Sequence, residues 1–202
     1  MRRSETTAPL AHLLTALAAL YVAEPRDGGL AAAAALREAA DGPLPAPCNV
    51  PAPLAAGLAQ VLTGADASLA AAIRAALPWI VWELSRHDGR ICDEYALHMM
   101  TAEILGPDGI LHHDNLRVGL FLQSGGLAYP TRAHAAEETF IMLAGQGLWQ
   151  AGDGPALLHG AGVLIHHPGM VPHSSTTLPG QPLLAAWRWS GDIGFDSYLL
   201  TG

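Results

Sequence analysis

The chain has 202 residues, half of them hydrophobic, with ten Lys and Arg against eighteen Asp and Glu for a formal charge of −8. That length buries one substantial core, or one core with a packed helical extension, without disulfides. The acidic balance, with no basic run beyond Arg2-Arg3, excludes the electrostatic footprint of a nucleic-acid binder. Cys48 and Cys92 stand far apart with no CxxC spacing and read as two reduced, buried thiols.

The N-terminal part is rich in Ala and Leu and punctuated by Pro25, Gly28-Gly29, the proline cluster at 43–47 and Gly64. The spacing predicts helices over about 8–22, 29–41, 52–63 and 67–85, with Thr7 and Asp66 as N-caps. Leu10, Leu13, Leu14, Leu17, Leu20 and Tyr21 repeat at three and four. This pattern marks an amphipathic helix, not the uniform apolar run of a cleaved signal, which His12 and Thr15 interrupt.

Beyond Gly89 the pattern changes to short apolar segments separated by Gly, Pro, Asp and Asn. Strands are predicted at 95–101, 118–123, 139–144, 148–151, 162–166 and 183–189, with hairpin turns at Gly145-Gln-Gly147 and Gly152-Asp-Gly154. An antiparallel barrel or sandwich follows, so the expected division is a helical extension over 1–90 and a β-barrel over 91–202.

The stretch His134-Ala-Ala-Glu-Glu138 carries the first chemical signal. On a straight strand His134 and Glu138 would stand roughly 13 Å apart, at about 3.3 Å per residue. One metal can take both only across a bend, which Ala135-Ala136 permits if His134 closes one strand and Glu138 opens the next. His173, in a Pro-rich turn, supplies a third ligand. Two imidazoles and a carboxylate leave coordination positions open and suit a divalent transition metal: iron, zinc, manganese or nickel.

The spacing resembles the cupin pattern. In the first motif, G(x)5HxH(x)3,4E(x)6G, the matching residues are Gly126, His134, Glu138 and Gly145, with Arg132 in place of the first His. In the second, G(x)5PxG(x)2H(x)3N, they are Gly162, Pro168 and His173, with Gly169 displaced by one and Thr177 where Asn is expected. More narrowly, Tyr129-Pro130, His134 to Glu138, Trp149, His167-Pro168, His173 and the segment 183–192 look like the cupin-type dimethylsulfoniopropionate lyases. The resemblance covers about 78–192.

It implies a mainly β fold, a cupin-type antiparallel double-stranded β-helix (jelly-roll barrel) with an α-helical N-terminal extension. It also implies β-elimination of dimethyl sulfide from dimethylsulfoniopropionate, or from a related small carboxylate, to give acrylate. The ligands implied are His134, Glu138 and His173, with Tyr129 as the pocket tyrosine and catalytic base. Phe140 stands where that family carries a tyrosine near metal and substrate, and phenylalanine has no proton to exchange.

Arg132 has opposed readings. Its cation weakens metal binding nearby, its guanidinium can hold a substrate carboxylate through two parallel hydrogen bonds, or it forms an outward salt bridge. Trp187 and Trp189 share one strand face and can contact a sulfonium, unless they pack the core. Glu137 points away from Glu138 and can orient Arg132 or a histidine; of His166 and His167 one faces inward. His112-His113-Asp114 reads as a solvated loop.

Other readings of the same pocket are isomerase or dioxygenase chemistry at an open metal, and a non-catalytic cupin that binds a small acid. The expected partner is a small-molecule carboxylate, with no nucleic acid and no membrane; homodimerisation stays open, and a cytoplasmic location is expected.

Overall fold

The computed structural model describes residues 7–201, so Arg2-Arg3 lies outside the described part. The apolar three-and-four spacing near the N-terminus forms α1 (Ala8–Val22), whose Leu10, Leu13, Leu14, Leu17 and Tyr21 are fully buried. Burying each such side chain contributes about 1.5–3 kcal/mol, which makes α1 a core element. Thr7 occupies its N-cap position.

Next come α2 (Asp27–Asp41), α3 (Ala55–Val61) and α4 (Ala67–Ala76). The Asp66 carboxylate caps α4 by accepting from the Ser68 and Leu69 amides at 3.0 Å. This helix stops at Ala76 and not at 85, because Pro78 has no N–H to give and its ring would collide with the carbonyl of Arg74. Gly28 and Gly29 fall inside the first turn of α2, where they allow a close approach. A Cβ at Gly28 would lie 2.6 Å from the Arg188 guanidinium, and one at Gly29 would lie 2.5 Å from Glu24 Cβ.

The rest is antiparallel sheet. The strands are β1 (Glu83–Leu84), β2 (Met99–Leu105), β3 (Leu116–Gln123), β4 (Ala128–Ala133), β5 (Glu137–Ala144) and β6 (Gln146–Ala151). They continue as β7 (Leu157–Gly160), β8 (Leu164–His167), β9 (His173–Thr176), β10 (Leu183–Ser190) and β11 (Leu199–Leu200). A six-stranded sheet has the order β1-β2-β3-β10-β5-β8, and a five-stranded sheet the order β11-β4-β9-β6-β7. This is the two-sheet cupin architecture expected from the motifs. The chain joins the larger sheet at Glu83, which pairs with Thr101, shortly before residue 90.

Several strands differ from expectation for local reasons. Tyr95 belongs to a short helix, α5 (Asp93–Ala96), so the strand expected from 95 begins at Met99. β4 holds Pro130 and has no clear alternation, while β9 alternates buried and half-buried positions but is built of four polar residues, so neither carries an apolar period. Both cysteines are exposed rather than buried: Cys48 lies in the proline-rich segment, and Cys92 precedes α5.

The six-stranded sheet is apolar on both faces, and that gives two cores. Leu184 and Ala186 of β10, with Val118, Leu120 and Leu122 of β3, pack against the helices. Leu183, Ala185, Trp187 and Trp189, with Phe121, face the barrel interior. Alternation along the strands thus sends one set of side chains to the helical layer and the other to the site.

Candidate metal centre

β4 ends at Ala133, His134 follows, and Ala135-Ala136 turn the chain into β5, which opens at Glu137. The bend is pinned from two sides. Met170 N–H donates to the His134 carbonyl at 2.7 Å, and Ala135 N–H donates to Ser197 Oγ at 2.8 Å. Gly169 is required here, because a Cβ would come within 2.4 Å of the Ala135 carbonyl oxygen. Met170, at the position where the second motif has glycine, adopts φ 62, so the left-handed turn is kept without the residue that favours it. His173 opens β9 directly opposite Arg132 of β4.

His134, Glu138 and His173 are all buried, with ligand atoms within 4.8 Å of one another. Glu138 Oε2 lies 3.5 Å from His134 Nε2 and 3.1 Å from His173 Nε2. Each imidazole has its other nitrogen fixed. His134 Nδ1 faces the Ala136 carbonyl at 3.0 Å, and His173 Nδ1 faces the Val171 carbonyl at 2.9 Å. Nδ1–H donation to these carbonyls leaves Nε2 as the atom that each ring can offer to a cation. Glu138 Oε1 accepts from Trp189 Nε1–H at 2.7 Å, which aims Oε2 at the imidazoles.

The two Nε2 atoms are buried and have no hydrogen-bond partner despite their approach to Glu138. Buried polar atoms without partners are costly, and a cation placed among them would satisfy both lone pairs and the carboxylate at once. The donor set fits a divalent transition metal. Burial, reinforced by the Arg132 charge, lowers the His173 pKa to about 3, so this imidazole is neutral and ready to ligate. Burial pushes the Glu138 carboxyl up, but the polar groups packed around it outweigh that and hold it well below the usual carboxylate range.

Beside these three lies a cavity of about 30 Å³, lined among others by Tyr129, Arg132, Phe140, Trp187, Trp189 and Tyr198. Glu138 reaches it from the ligand cluster, and His134 and His173 stand behind it. Trp187 and Trp189 both face inward, and Trp187 Nε1–H donates to the Leu120 carbonyl at 3.2 Å. Phe140 packs on Phe121 and Trp149, with centroids 5.7 and 4.8 Å away. Arg132 is 2% exposed and points inward, its guanidinium carbon 3.9 Å from the Tyr129 ring centroid. The outward salt bridge is therefore excluded, because β4 pairs with β9 in a register that turns Arg132 toward the interior.

The Tyr129 hydroxyl is 2.5 Å from that of Tyr198, and burial raises its pKa. Tyr198 lies past the last motif residue, and nothing in its sequence context marks it. His167 is the inward member of its pair. It is fully buried, its ring stacks on His173 at 4.0 Å, and its Nδ1 is 3.3 Å from Glu138 Oε2. His87 lines the cavity from a turn in which His87, Asp88 and Gly89 all have positive φ. With Thr101, Trp187 and Phe195 it separates the cavity from an outer vestibule of about 810 Å³. Only the Asp-Gly pair could have hinted at this turn.

Glu137 faces away from the site and orients neither Arg132 nor a histidine. It accepts from Arg188 at 2.7 Å. Arg188 also pairs with Glu24, whose carboxylate takes the Thr139 hydroxyl at 2.7 Å. Glu24, Glu137 and His166 stand close enough for a metal, but the Arg188 cation already occupies that role. His112 pairs with Asp114 in an exposed loop, as expected.

Two antiparallel sheets with a His-Glu-His cluster opening on an aromatic cavity define a cupin with a metal-site ligand set. The profile of the dimethylsulfoniopropionate lyase family matches residues 30–185, and the chain belongs to that family. It is 27% identical over 191 residues to dimethylsulfoniopropionate lyase DddQ of Ruegeria pomeroyi DSS-3, covering 94% of this chain and 93% of that protein. The crystal structure of that DddQ matches with a TM-score of 0.72 at 27% identity, over 96% of each chain. A crystal structure from work on the DMSP lyases RdDddP and RnDddQII matches with a TM-score of 0.74 at 25% identity, over 98% of this chain and all of the other.

Proposed function

We propose that this chain is a metal-dependent carbon–sulfur lyase that eliminates dimethyl sulfide from dimethylsulfoniopropionate, or a related small carboxylate, to give acrylate. The observation that carries this is the convergence of two buried, unpartnered Nε2 atoms and the Glu138 carboxylate beside an aromatic cavity, in a chain of this family. His134, Glu138 and His173 would hold the metal. A bound divalent cation supplies Lewis acidity, stabilising the negative charge that develops on the substrate carboxylate.

The chain's own residues do the rest. A base takes the proton α to the carboxylate, the released electron pair forms the carbon–carbon double bond, and the carbon–sulfur bond breaks with its pair leaving on sulfur. Tyr129 is the base in this reading: it lines the cavity, and its hydroxyl is paired with that of Tyr198. Trp187 and Trp189 offer aromatic faces to the sulfonium, whose positive charge such faces attract. Phe140, Trp187 and Trp189 keep water from the reacting carbon.

Among the described residues no helix is long and apolar enough to cross a membrane, and a cytoplasmic location belongs to the same proposal. A second reading is favoured by Phe140, which leaves no hydroxyl at that strand position: a cupin that binds a small acid without converting it. Acrylate release from dimethylsulfoniopropionate, measured on protein loaded in turn with iron, zinc, manganese and nickel, separates the two. Turnover that stops on chelation supports the lyase. Its absence with every metal, in protein that still binds acrylate, supports the binder. Under the lyase reading, Phe140→Tyr raises a weak activity.

A further inference from the structure

Arg132 is the feature that the elimination scheme least requires. Its guanidinium is 2% exposed and lines the cavity, yet among the described residues it has no carboxylate partner. Its polar contact is a long one, Nη1 to the His173 carbonyl at 3.4 Å, and Nη2 is buried with no acceptor at all. The Tyr129 ring covers one face of the guanidinium plane. An ionised group taken out of water in this way is costly unless an anion accompanies it.

We propose that Arg132 makes this cavity a carboxylate-binding site in its own right, taking small monocarboxylates whether or not a cation sits on His134, Glu138 and His173. The guanidinium fork matches a carboxylate through two parallel hydrogen bonds, a geometry that a point charge does not provide. Glu138 does not compete for it, because its oxygens are committed to Trp189 and to the imidazoles. The ligand's apolar remainder meets Phe121, Phe140 and Trp187. The cavity is small as it stands, so ligands of few heavy atoms fit first; larger ones need the His87 and Phe195 walls to move toward the vestibule.

This proposal concerns the same cavity as the elimination reading, but it stands on the guanidinium alone. The test is isothermal titration of the whole, chelator-treated protein with acrylate and with its neutral isostere acrylamide. Acrylate is expected to bind the metal-free protein at least about tenfold more tightly than acrylamide. Arg132→Gln is expected to abolish that preference, and Arg132→Lys to restore part of it. Equal affinity for the two probes overturns the proposal, as does acrylate binding that Arg132→Gln leaves unchanged or that appears only once metal is restored. If Arg132→Gln does not fold, the ratio of the two probes on the unaltered protein decides. A protein that binds acrylate without metal, yet releases none from dimethylsulfoniopropionate when loaded with iron, zinc, manganese or nickel, retains this proposal and sinks the elimination reading.

Discussion

Arg188 and Arg132 are both buried, on strands of different sheets and in opposite circumstances. Arg188 of β10 is fully buried and surrounded by acceptors: Glu24 from the helical layer, Glu137 from β5 and Ser190 Oγ at 2.8 Å. Arg132 of β4 is buried almost as deeply, with one long contact to a carbonyl and a nitrogen that meets nothing. The first completes a network that joins helix and sheet. The second is a charge held beside an aromatic cavity without its counter-ion, which is the mark of a group placed for a ligand and not for the fold.

The sharpest way to break that contrast is to remove each cation. Arg188→Met leaves Glu24 and Glu137 facing each other, with Glu24 fully buried, and is expected to cost about 3–5 kcal/mol in urea unfolding. A loss below about 1 kcal/mol would place Arg188 among ordinary surface pairs. Trp189→Phe comes next, since it frees Glu138 Oε1 and is expected to weaken metal binding roughly 10- to 100-fold in a competition titration with little change in fold. Arg132→Gln should change stability by less than about 1 kcal/mol, or raise it, because among the described residues no carboxylate pairs with that charge.

How far the residues announce this arrangement varies along the chain. Leu10 to Tyr21 and Asp66 announce their helices because a helix face and an N-cap are local patterns. His134, Glu138 and His173 are legible as a set because motif spacing encodes the two turns that bring them together. Arg132 is ambiguous in sequence, since its direction depends on the β4–β9 register. Tyr198, His87 and the Glu24–Arg188 link are silent in sequence. Each depends on segments distant in the chain meeting across a sheet, and no local periodicity records that.

A smaller effect sharpens the same comparison through pH. Burial, with the Arg132 charge second, lowers the His87 pKa to about 4 from an ordinary 6.5. The native imidazole is therefore neutral, and between these values the unfolded chain binds a proton that the native chain does not. His87 favours the native state above about pH 6.5, and that stability is lost as pH falls from about 6.5 toward 4. His87→Gln is expected to give a shallower fall in Tm over that window. An unchanged slope would mean that the imidazole is solvated and untouched by Arg132.

The measurement that bears most directly on the metal centre is the metal stoichiometry of purified protein after reconstitution and desalting, compared across the unaltered chain, His134→Ala and His173→Ala. The geometry of the two bare Nε2 atoms around Glu138 predicts about one divalent ion per chain in the unaltered protein and its loss in both variants. Protein that acquires no metal, or variants that hold it as well as the parent, would contradict the assignment of His134, Glu138 and His173.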